Sequence, residues 1–445
     1  MVTLHKLHKI AGLAAGLPLF LLAVTGFFLD HDQWSFLYRV TTTIGGNIAP
    51  DASVRLVEGY RIDPANPNRL TVCTRRGIYE SDDGGRNFQK MSDLQCLGLA
   101  AEGDVLFAAT DDGIYWREKS RWLPLALKGA FVNALSVNDG RILASVDKSK
   151  LYLIDRLGIV QPLALPPIDP ELLGRPITLA RFVRDLHYGR GIFEAPFSLW
   201  LNDYGAVVLA WLALGGFLIW RRIRAKNGGR ATRRLIKLHA NLVTIAAGLF
   251  LIVLSITGIF LDHARGLGPF MKSVTIPSAL LPPVYGSLRH DIWSVDLGDD
   301  EIVRIGNRYG VFAYQKGKWE LESPGFAYRM MREGDRLYVS GMGAPNRIYE
   351  NGEWHTLPRT PHMFRAVVQT PEGIQFFSPH GTSLPLPTFN DITLYTLLLG
   401  IHDGIFFASW WPWVNDAAAL ALLLLLFTGT MRWWRKRRGV QRASH

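Results

Sequence analysis

Cysteine is scarce in this chain of 445 residues, in which only Cys73 and Cys96 occur. No C-x-x-C pair is present, so a thioredoxin-like redox motif is excluded. The sequence also lacks a G-x-G-x-x-G motif opening a helix and a G-x-x-x-x-G-K-[ST] loop, so it carries no nucleotide, flavin or nicotinamide domain of its own. Whether the two cysteines form a disulfide is left open by the sequence.

Charge is absent from two stretches, 10–29 and 242–261, each long enough to cross a bilayer as a helix. Stretches 200–220 and 417–431 are further candidates, so four membrane spans are expected. The first stretch is unlike a cleaved signal peptide, because its second copy lies in mid-chain, where no signal is removed.

Acidic residues are missing from three short basic segments, which begin at Lys6, Arg221 and Arg432. Because basic residues collect in cytoplasmic loops, both termini are expected in the cytoplasm of a bacterial inner membrane, with two large periplasmic regions between spans. The net charge of +11 is then a topology signal and not evidence for nucleic-acid binding.

The two uncharged stretches belong to one duplicated motif, GLPLFLLAVTGFFLDH ending at His31 and GLFLIVLSITGIFLDH ending at His263. A second motif is repeated more loosely, as LHYG around His187 and IHDG around His402. The chain therefore consists of two parallel repeats, related by a pseudo-twofold axis along the membrane normal.

The periplasmic regions are built of short apolar runs separated by Gly, Asp and Asn, which is typical of all-β structure. Each contains three units, and four strands per unit at a period of about 35 to 40 residues indicates propeller blades. We expect the two sets of three blades to combine into one six-bladed propeller. The unit DPANPNRLTVCTRRGIYESDDGGRNF resembles an Asp-box blade, in which Ser81, Asp83 and Gly85 would shape a turn.

The predicted fold is thus a membrane α-helical bundle of four spans plus an all-β periplasmic domain. The predicted domains are span 1 (1–31), blades 1–3 (32–180), the first His-x-Gly motif with span 2 (181–222), a cytoplasmic loop (223–237), span 3 (238–263), blades 4–6 (264–395), the second motif with span 4 (396–434) and a cytoplasmic tail (435–445).

Six histidines lie at or near the ends of spans, and ionisable groups in such places usually serve a function. They are His8, His31, His187, His239, His263 and His402. Paired imidazoles inside a helical bundle can ligate the iron of haem b, and glycines in the spans leave room for a porphyrin. We expect a ring of His31, His187, His263 and His402 to hold haem iron at the periplasmic end, where four histidines are enough for two haems. His8 and His239 are the candidate ligands for a further haem at the other end, and the sequence leaves open whether that end holds one. A c-type haem is excluded because no C-x-x-C-H occurs.

In the four spans the chain resembles the PepSY-associated transmembrane family, through LHKIAGLAAGLPLFLLAVTG, LHANLVTIAAGLFLIVLSITG and LHYG. The resemblance implies a haem b inner-membrane reductase, which passes electrons to a periplasmic acceptor such as a ferric siderophore. The electron donor would be a quinol or a cytoplasmic flavoprotein.

Two other functions stay open. A membrane-anchored propeller that binds or assembles a partner would hold no cofactor. A metal-ion transporter would use the histidines as a relay, but the spans have no charged residue at mid-depth.

Overall fold

The computed structural model describes residues 4–48, 54–173, 175–226, 228–298, 302–370, 373–379 and 381–443. Its helices form a bundle at one end of the molecule. They are α1 (Leu4–Leu29), α2 (Phe36–Arg39), α3 (Leu179–His187), α4 (Phe197–Arg224), α5 (Arg230–His239), α6 (Leu242–Ala246), α7 (Gly248–Asp262), α8 (Ala264–Ser273), α9 (Leu394–His402) and α10 (Pro412–Ala443).

Among the described residues, three helices are long and apolar enough to cross a membrane, namely α1, α4 and α10 as far as Arg435. Large apolar side chains on the spans face outward, with Leu17 and Leu249 about two-thirds exposed and Phe427 at 61%. Such exposure suits contact with lipid, since a water-soluble protein rarely leaves a broad apolar face uncovered. The chain is therefore a membrane protein.

The third expected span differs from a single straight helix. The chain turns by 72° between the pair α5–α6 and α7, and the molecule has a fourth span only if this bent pair is counted as one. Asn241 begins α6 with a reciprocal cap, because its side chain accepts from the backbone N–H of Thr244 while the Thr244 hydroxyl bonds back to the Asn241 backbone. That cap marks the start of α6 at the beginning of the apolar stretch, whereas the break before α7, at Ala247, lies inside the stretch, where hydropathy alone shows no boundary.

The strands form six successive antiparallel sheets and two short pairs. Sheet 1 holds β2 (Val57–Asp63), β3 (Asn66–Thr74), β4 (Gly77–Ser81) and β5 (Gln89–Ser92); sheet 2 holds β6 (Cys96–Glu102), β7 (Val105–Thr110), β8 (Gly113–Glu118) and β9 (Arg121–Ala126); sheet 3 holds β10 (Val132–Asn138), β11 (Arg141–Val146), β12 (Lys150–Ile154) and β13 (Val160–Pro162). Sheet 4 holds β16 (Ser294–Leu297), β17 (Val303–Gly306), β18 (Gly310–Gln315) and β19 (Lys318–Pro324); sheet 5 holds β20 (Ala327–Glu333), β21 (Arg336–Gly341), β22 (Arg347–Glu350) and β23 (Glu353–Thr356); sheet 6 holds β24 (Ala366–Thr370) and β25 (Gly373–Phe377).

These sheets follow one another around a ring, here called the sheet ring. The first strand of each sheet contacts the first strand of the next, and β24 closes the ring against β2. Each boundary between neighbouring sheets has its own buried apolar cluster, from Ile78 and Leu106 between sheets 1 and 2 to Val57 and Phe377 between sheets 6 and 1. The expected four-stranded, propeller-like sheets are confirmed for five units, whereas the sixth has two strands among the described residues.

Sheet 1 contains the two cysteines and the Asp-box turn that the sequence analysis singled out. Cys73 on β3 and Cys96 on β6 form a disulfide, with Cα atoms 5.3 Å apart, and so tie sheet 1 to sheet 2. In the Asp-box turn, Asp83 Oδ1 accepts from two backbone N–H groups at 3.0 Å, and Gly85 has φ +86°. The box shapes a turn, as expected from its residues.

Two short strand pairs join the sheet ring to the bundle. The strand β1 (Thr41–Thr42) pairs with β26 (Ile392–Thr393), and β14 (Ile177–Thr178) pairs with β15 (Thr275–Ile276). The threonines that end β14 and β26, Thr178 and Thr393, cap the N-termini of α3 and α9. The same device thus occurs in both halves of the chain and places α3 and α9 alike between sheet ring and spans.

Candidate functional site

His187 and His402 face each other between the spans, at the end of the bundle nearest the sheet ring. They are the last residues of α3 and α9, and their ring centroids lie 6.3 Å apart. Helix α3 packs on α7 and α9 packs on α1, so each histidine is carried by one half of the chain and set against a span of the other. We call these two residues the ring-side pair.

A threonine hydroxyl orients each ring of this pair. His402 Nδ1 lies 2.9 Å from Thr25 Oγ1, and His187 Nδ1 lies 3.0 Å from Thr257 Oγ1. Both hydroxyls donate onward to the carbonyl four residues earlier, at 2.7 and 2.8 Å, so each accepts the ring proton. The network therefore assigns the proton to Nδ1 and leaves Nε2 as the basic nitrogen.

Glycine beside each threonine permits this close approach. A Cβ atom on Gly26 would lie 3.4 Å from His402 Cε1, and one on Gly258 would lie 3.5 Å from His187 Cε1. Alanine would just fit, while a larger side chain would displace the imidazole. The repeated Thr-Gly dipeptide thus binds a histidine from the other half of the chain, through the threonine hydroxyl and the space beside the glycine. We call such a histidine-binding dipeptide a seat.

The helix carrying each ring-side histidine ends in a glycine-dependent turn. Gly189 and Gly404 have φ +62° and +83°, which fits the glycine of each His-x-Gly motif. Asn202 donates to the carbonyl of His187 at 3.0 Å, and Asn415 donates to that of His402 at 2.9 Å. These asparagines hold the ends of the two short helices in the same way.

His8 and His239 occupy two similar seats at the opposite end of the bundle, near the basic segments. His8 Nδ1 lies 2.8 Å from Thr428 Oγ1, and a Cβ on Gly429 would lie 3.4 Å from His8 Cε1. The two rings, here called the basic-side pair, are close enough to interact electrostatically. Sequence reasoning missed this third Thr-Gly seat, although the dipeptide stands in the apolar run of α10.

The fourth seat lacks its hydroxyl. Gly215 and Gly216 approach His239 as a Thr-Gly dipeptide would, with built Cβ atoms 3.4 Å from Nδ1 and 3.5 Å from Cε1. Nδ1 of His239 is buried, and no group in the described part of the chain bonds to it. Glycine has replaced threonine at this seat.

His31 and His263 contact carboxylates instead of a histidine. His263 Nε2 lies 2.6 Å from Asp416 Oδ2, and His31 Nε2 lies 3.6 Å from Asp203 Oδ2. The sequence analysis expected these two histidines in one ring with the ring-side pair, and the structure brings together only His187 and His402. His31 Nδ1 bonds the carbonyl of Phe27 at 2.8 Å.

Three further histidines, His290, His355 and His362, lie in the sheet ring, and His5 lies in the first turn of α1. His290 Nδ1 lies 3.3 Å from the carbonyl oxygen of Asp147, next to sheet 3. His355 is half-exposed on β23, and His362 accepts from the backbone N–H of Gly343 at 3.3 Å. His380 lies outside the described residues. Over the described ranges, no three His, Cys, Asp or Glu side chains converge as a metal cluster would require.

A cavity of about 570 Å³ connects the ring-side pair with the centre of the sheet ring. Its membrane half is mainly apolar, lined by residues of α1, α4, α7 and α10 that include Leu19, Leu22, Leu209, Leu251, Leu254 and Leu422. Its other half is polar and basic, lined by Glu58, Arg75, Lys148, Arg190, Arg329 and Arg365. One space thus combines an apolar chamber beneath the sheet ring with a charged chamber inside it.

The pKa values of two ionisable side chains in the polar half, Glu58 and Lys148, are strongly shifted. Burial alone would raise the pKa of Glu58, but the guanidinium groups of Arg365, Arg75 and Arg329 outweigh it and lower that pKa to about 2. Burial, together with the nearby Arg190 guanidinium, lowers the pKa of Lys148 to about 7. Sequence reasoning did not single out these residues, because they come from four different sheets.

Comparison with known proteins finds one family. The profile of the PepSY-associated TM region matches residues 163–436, which is more than half of the chain. No curated protein matches the sequence.

Among solved structures, the chain is similar to the extracellular domain of a one-component system from B. thetaiotaomicron, with 10% identity and a TM-score of 0.35 over 72% of this chain and 30% of that one. It is also similar to PorZ, a surface component of the type-IX secretion system of Porphyromonas gingivalis, with 9% identity and a TM-score of 0.33 over 75% and 32%. The chain spans about a third of the length of each.

Proposed function

The chain belongs to the PepSY-associated TM region family, and from this premise we propose that it is a haem b membrane oxidoreductase. It passes electrons through the bilayer to an acceptor on the side of the sheet ring, a ferric siderophore or another oxidised metal complex. The observation that supports this most is the pair of half-buried imidazoles, His187 and His402, facing each other across 6.3 Å.

The ring-side pair would hold one haem iron between its two imidazoles. The centroid separation of 6.3 Å leaves room for a metal atom with a bond of about 2 Å to each ring. The Thr25 and Thr257 hydroxyls keep the proton on Nδ1 and so leave each Nε2 free to bind metal. The apolar chamber supplies the surroundings that a porphyrin macrocycle requires.

We assign a second haem to the basic-side pair, His8 and His239, which sit in equivalent seats. His8 lies 17 residues before Thr25 on α1, so the two pairs are about 25 Å apart along that helix. Two sites at this separation would relay electrons across most of the hydrocarbon core of about 30 Å.

The protein's own part in the reaction is to position the cofactors and to set their potentials. Bound haem supplies one-electron exchange, so each electron reduces one ferric ion of the acceptor to ferrous without any bond to the protein being made or broken. The threonines tune the basicity of the histidines, and the leucines of the chamber exclude water from the iron.

The proposed orientation places the sheet ring in the periplasm and both termini in the cytoplasm of a bacterial inner membrane. The disulfide between Cys73 and Cys96 supports this, since such bonds persist in oxidising compartments. The basic segments at the far end of the bundle agree with the distribution of charge across membranes. Electrons would enter on that side from a quinol or a cytoplasmic flavoprotein.

An absorption spectrum of the purified protein tests the proposal. We expect a Soret band and an α-band that sharpens on reduction, with two haems per chain. His187→Ala and His402→Ala should each remove one haem and leave the other, and His8→Ala should do the reverse. His31→Ala and His263→Ala should keep both haems, with His355→Ala on the sheet-ring surface as the control. Purified protein without a reducible Soret band would refute the proposal and favour a non-enzymatic membrane-anchored propeller.

A further inference from the structure

The centre of the sheet ring holds more buried positive charge than negative. Around the buried carboxylate of Glu58 stand Arg75, Arg329 and Arg365, with N–O distances of 2.9, 2.6 and 3.3 Å. One carboxylate cannot neutralise three guanidinium groups. The surplus charge faces the cavity that leads to the ring-side pair.

Several donors in this cluster have no acceptor. Nη1 of Arg75, Nε of Arg329 and Nε of Arg365 are buried, and none has a hydrogen-bond partner among the described residues. A buried guanidinium N–H without an acceptor is costly, and native proteins usually satisfy such groups. All three arginines line the cavity, so an anion bound there would lie against this cluster.

Two further cations extend the cluster toward the membrane. The ammonium of Lys148 lies 3.7 Å from the ring centroid of Trp293, and the Arg190 guanidinium lies 5.2 Å from the same centroid on the same cavity wall. Burial, and after it the charge of Arg190, depress the pKa of Lys148, and an anion bound beside the ammonium would oppose that shift.

Acidic side chains do not cancel this charge. Asp32 is the other carboxylate that acts on Arg75 and Lys148 through the cavity. Asp291, which also acts on Lys148, is bound by Arg308 Nε at 2.8 Å and by Trp293 Nε1 at 2.8 Å. The other acidic groups of the wall, Asp30, Asp262, Asp403 and Asp416, lie at the membrane end, on or next to α1, α7, α9 and α10.

We propose that this cluster, made of Arg75, Lys148, Arg190, Arg329 and Arg365, is a carboxylate-binding site between the ring-side pair and the opening of the sheet ring. Two carriers could bring that carboxylate, namely an anionic ferric chelate such as a tricarboxylate complex, or the propionates of a porphyrin held by the ring-side pair. Only the identity of the carrier rests on the proposed function. The positive charge and the unsatisfied donors belong to the protein side chains and do not depend on haem.

Calorimetry on the full-length protein with a redox-inactive probe tests the first carrier. We expect gallium citrate to bind the wild type, and a neutral gallium hydroxamate to bind at least tenfold more weakly. Lys148→Gln and Arg365→Gln should each weaken citrate binding by tenfold or more. Lys128→Gln, in an exposed turn of the sheet ring, serves as the matched control and should leave it unchanged. Lys148 makes its main contact with an aromatic face, so its substitution is the one least expected to disturb folding.

Reconstitution of the haem-free protein tests the second carrier. If propionates occupy the cluster, haem should bind at least tenfold more tightly than its dimethyl ester, and Lys148→Gln should abolish that difference. Either result supports the site and identifies the carrier. The proposal is overturned if gallium citrate does not bind and the ester binds like haem, or if neither affinity responds to the substitutions. Citrate binding by a protein without a reducible Soret band would leave this site standing and refute the haem proposal alone.

Discussion

Replacing Thr25 by valine should weaken haem binding at the ring-side pair while hardly changing the shape of the protein. Thr25 is 2% exposed, and valine has nearly the same volume, so packing against the neighbouring helices is retained. What is lost is the hydroxyl that accepts from His402 Nδ1 at 2.9 Å and donates to Leu21 O at 2.7 Å.

The magnitude follows from the role of that hydroxyl. A group that orients a metal-ligating histidine typically contributes about 10- to 100-fold in metal affinity, which corresponds to about 1.4 to 2.8 kcal/mol. That range agrees with the cost of about 1 to 3 kcal/mol for leaving a buried donor without its acceptor. Thr257→Val should have an effect of the same size, because His187 is held in the same way.

The assay is transfer of haem from the variant to excess apomyoglobin, followed at the Soret band, together with the reduction potential of the remaining haem. Thr25→Ser keeps the hydroxyl and should behave like the wild type, while the valine variant should lose one haem faster and show a higher potential. Equal haem affinity and equal potential in the valine and serine variants would show that this threonine does not orient a ligand.

Three other perturbations test separate parts of the structure. Asp296→Asn removes the carboxylate that Arg332 binds and one of the two that Arg304 binds, the other being Glu322. It should lower the free energy of unfolding by about 3 to 5 kcal/mol in thermal melts, whereas Glu320→Gln, which breaks an exposed pair, should change it by less than about 1 kcal/mol. Replacing Cys73 and Cys96 by serine removes a cross-link between residues 23 positions apart. It should lower the free energy of unfolding, measured by urea denaturation, by about 3 kcal/mol. An unchanged urea midpoint would argue against the disulfide. Gly215→Thr supplies the missing hydroxyl at the fourth seat and should tighten haem binding at the basic-side pair. The variant should then lose haem more slowly than the wild type, and faster loss would contradict this role.

The sequence was sufficient for much of the fold because its signals are periodic and long. Uncharged runs predicted the membrane helices, and the repeated strand pattern predicted the four-stranded sheets. The bend of 72° before α7 escaped this reasoning, because the break at Ala247 lies within a run that is apolar throughout and gives no hydropathy signal. Sheet 6 also differs from the pattern, because its sequence unit was the weakest of the six.

Much less of the site could be read from the sequence. The position of a histidine along a helix is visible in the sequence, but the direction in which it points depends on how helices from distant parts of the chain pack. His31 and His263 stood in the strongest repeat and nevertheless contact carboxylates, whereas the looser repeat around His187 and His402 carries the facing rings. The seat at Thr428 was accessible in principle, through a third Thr-Gly dipeptide in an apolar helix.

Every histidine seat is shared between the two halves of the chain. His187 of the first half sits on Thr257 of the second, and His402 of the second sits on Thr25 of the first; the basic-side seats cross over in the same manner. A single half would therefore contain no complete seat and only half of a closed ring of sheets. Two identical halves would complete both around a twofold axis, as in an isologous homodimer. The arrangement is that of an obligate dimer whose subunits have become one polypeptide, and its site is an intersubunit site that has been made intramolecular.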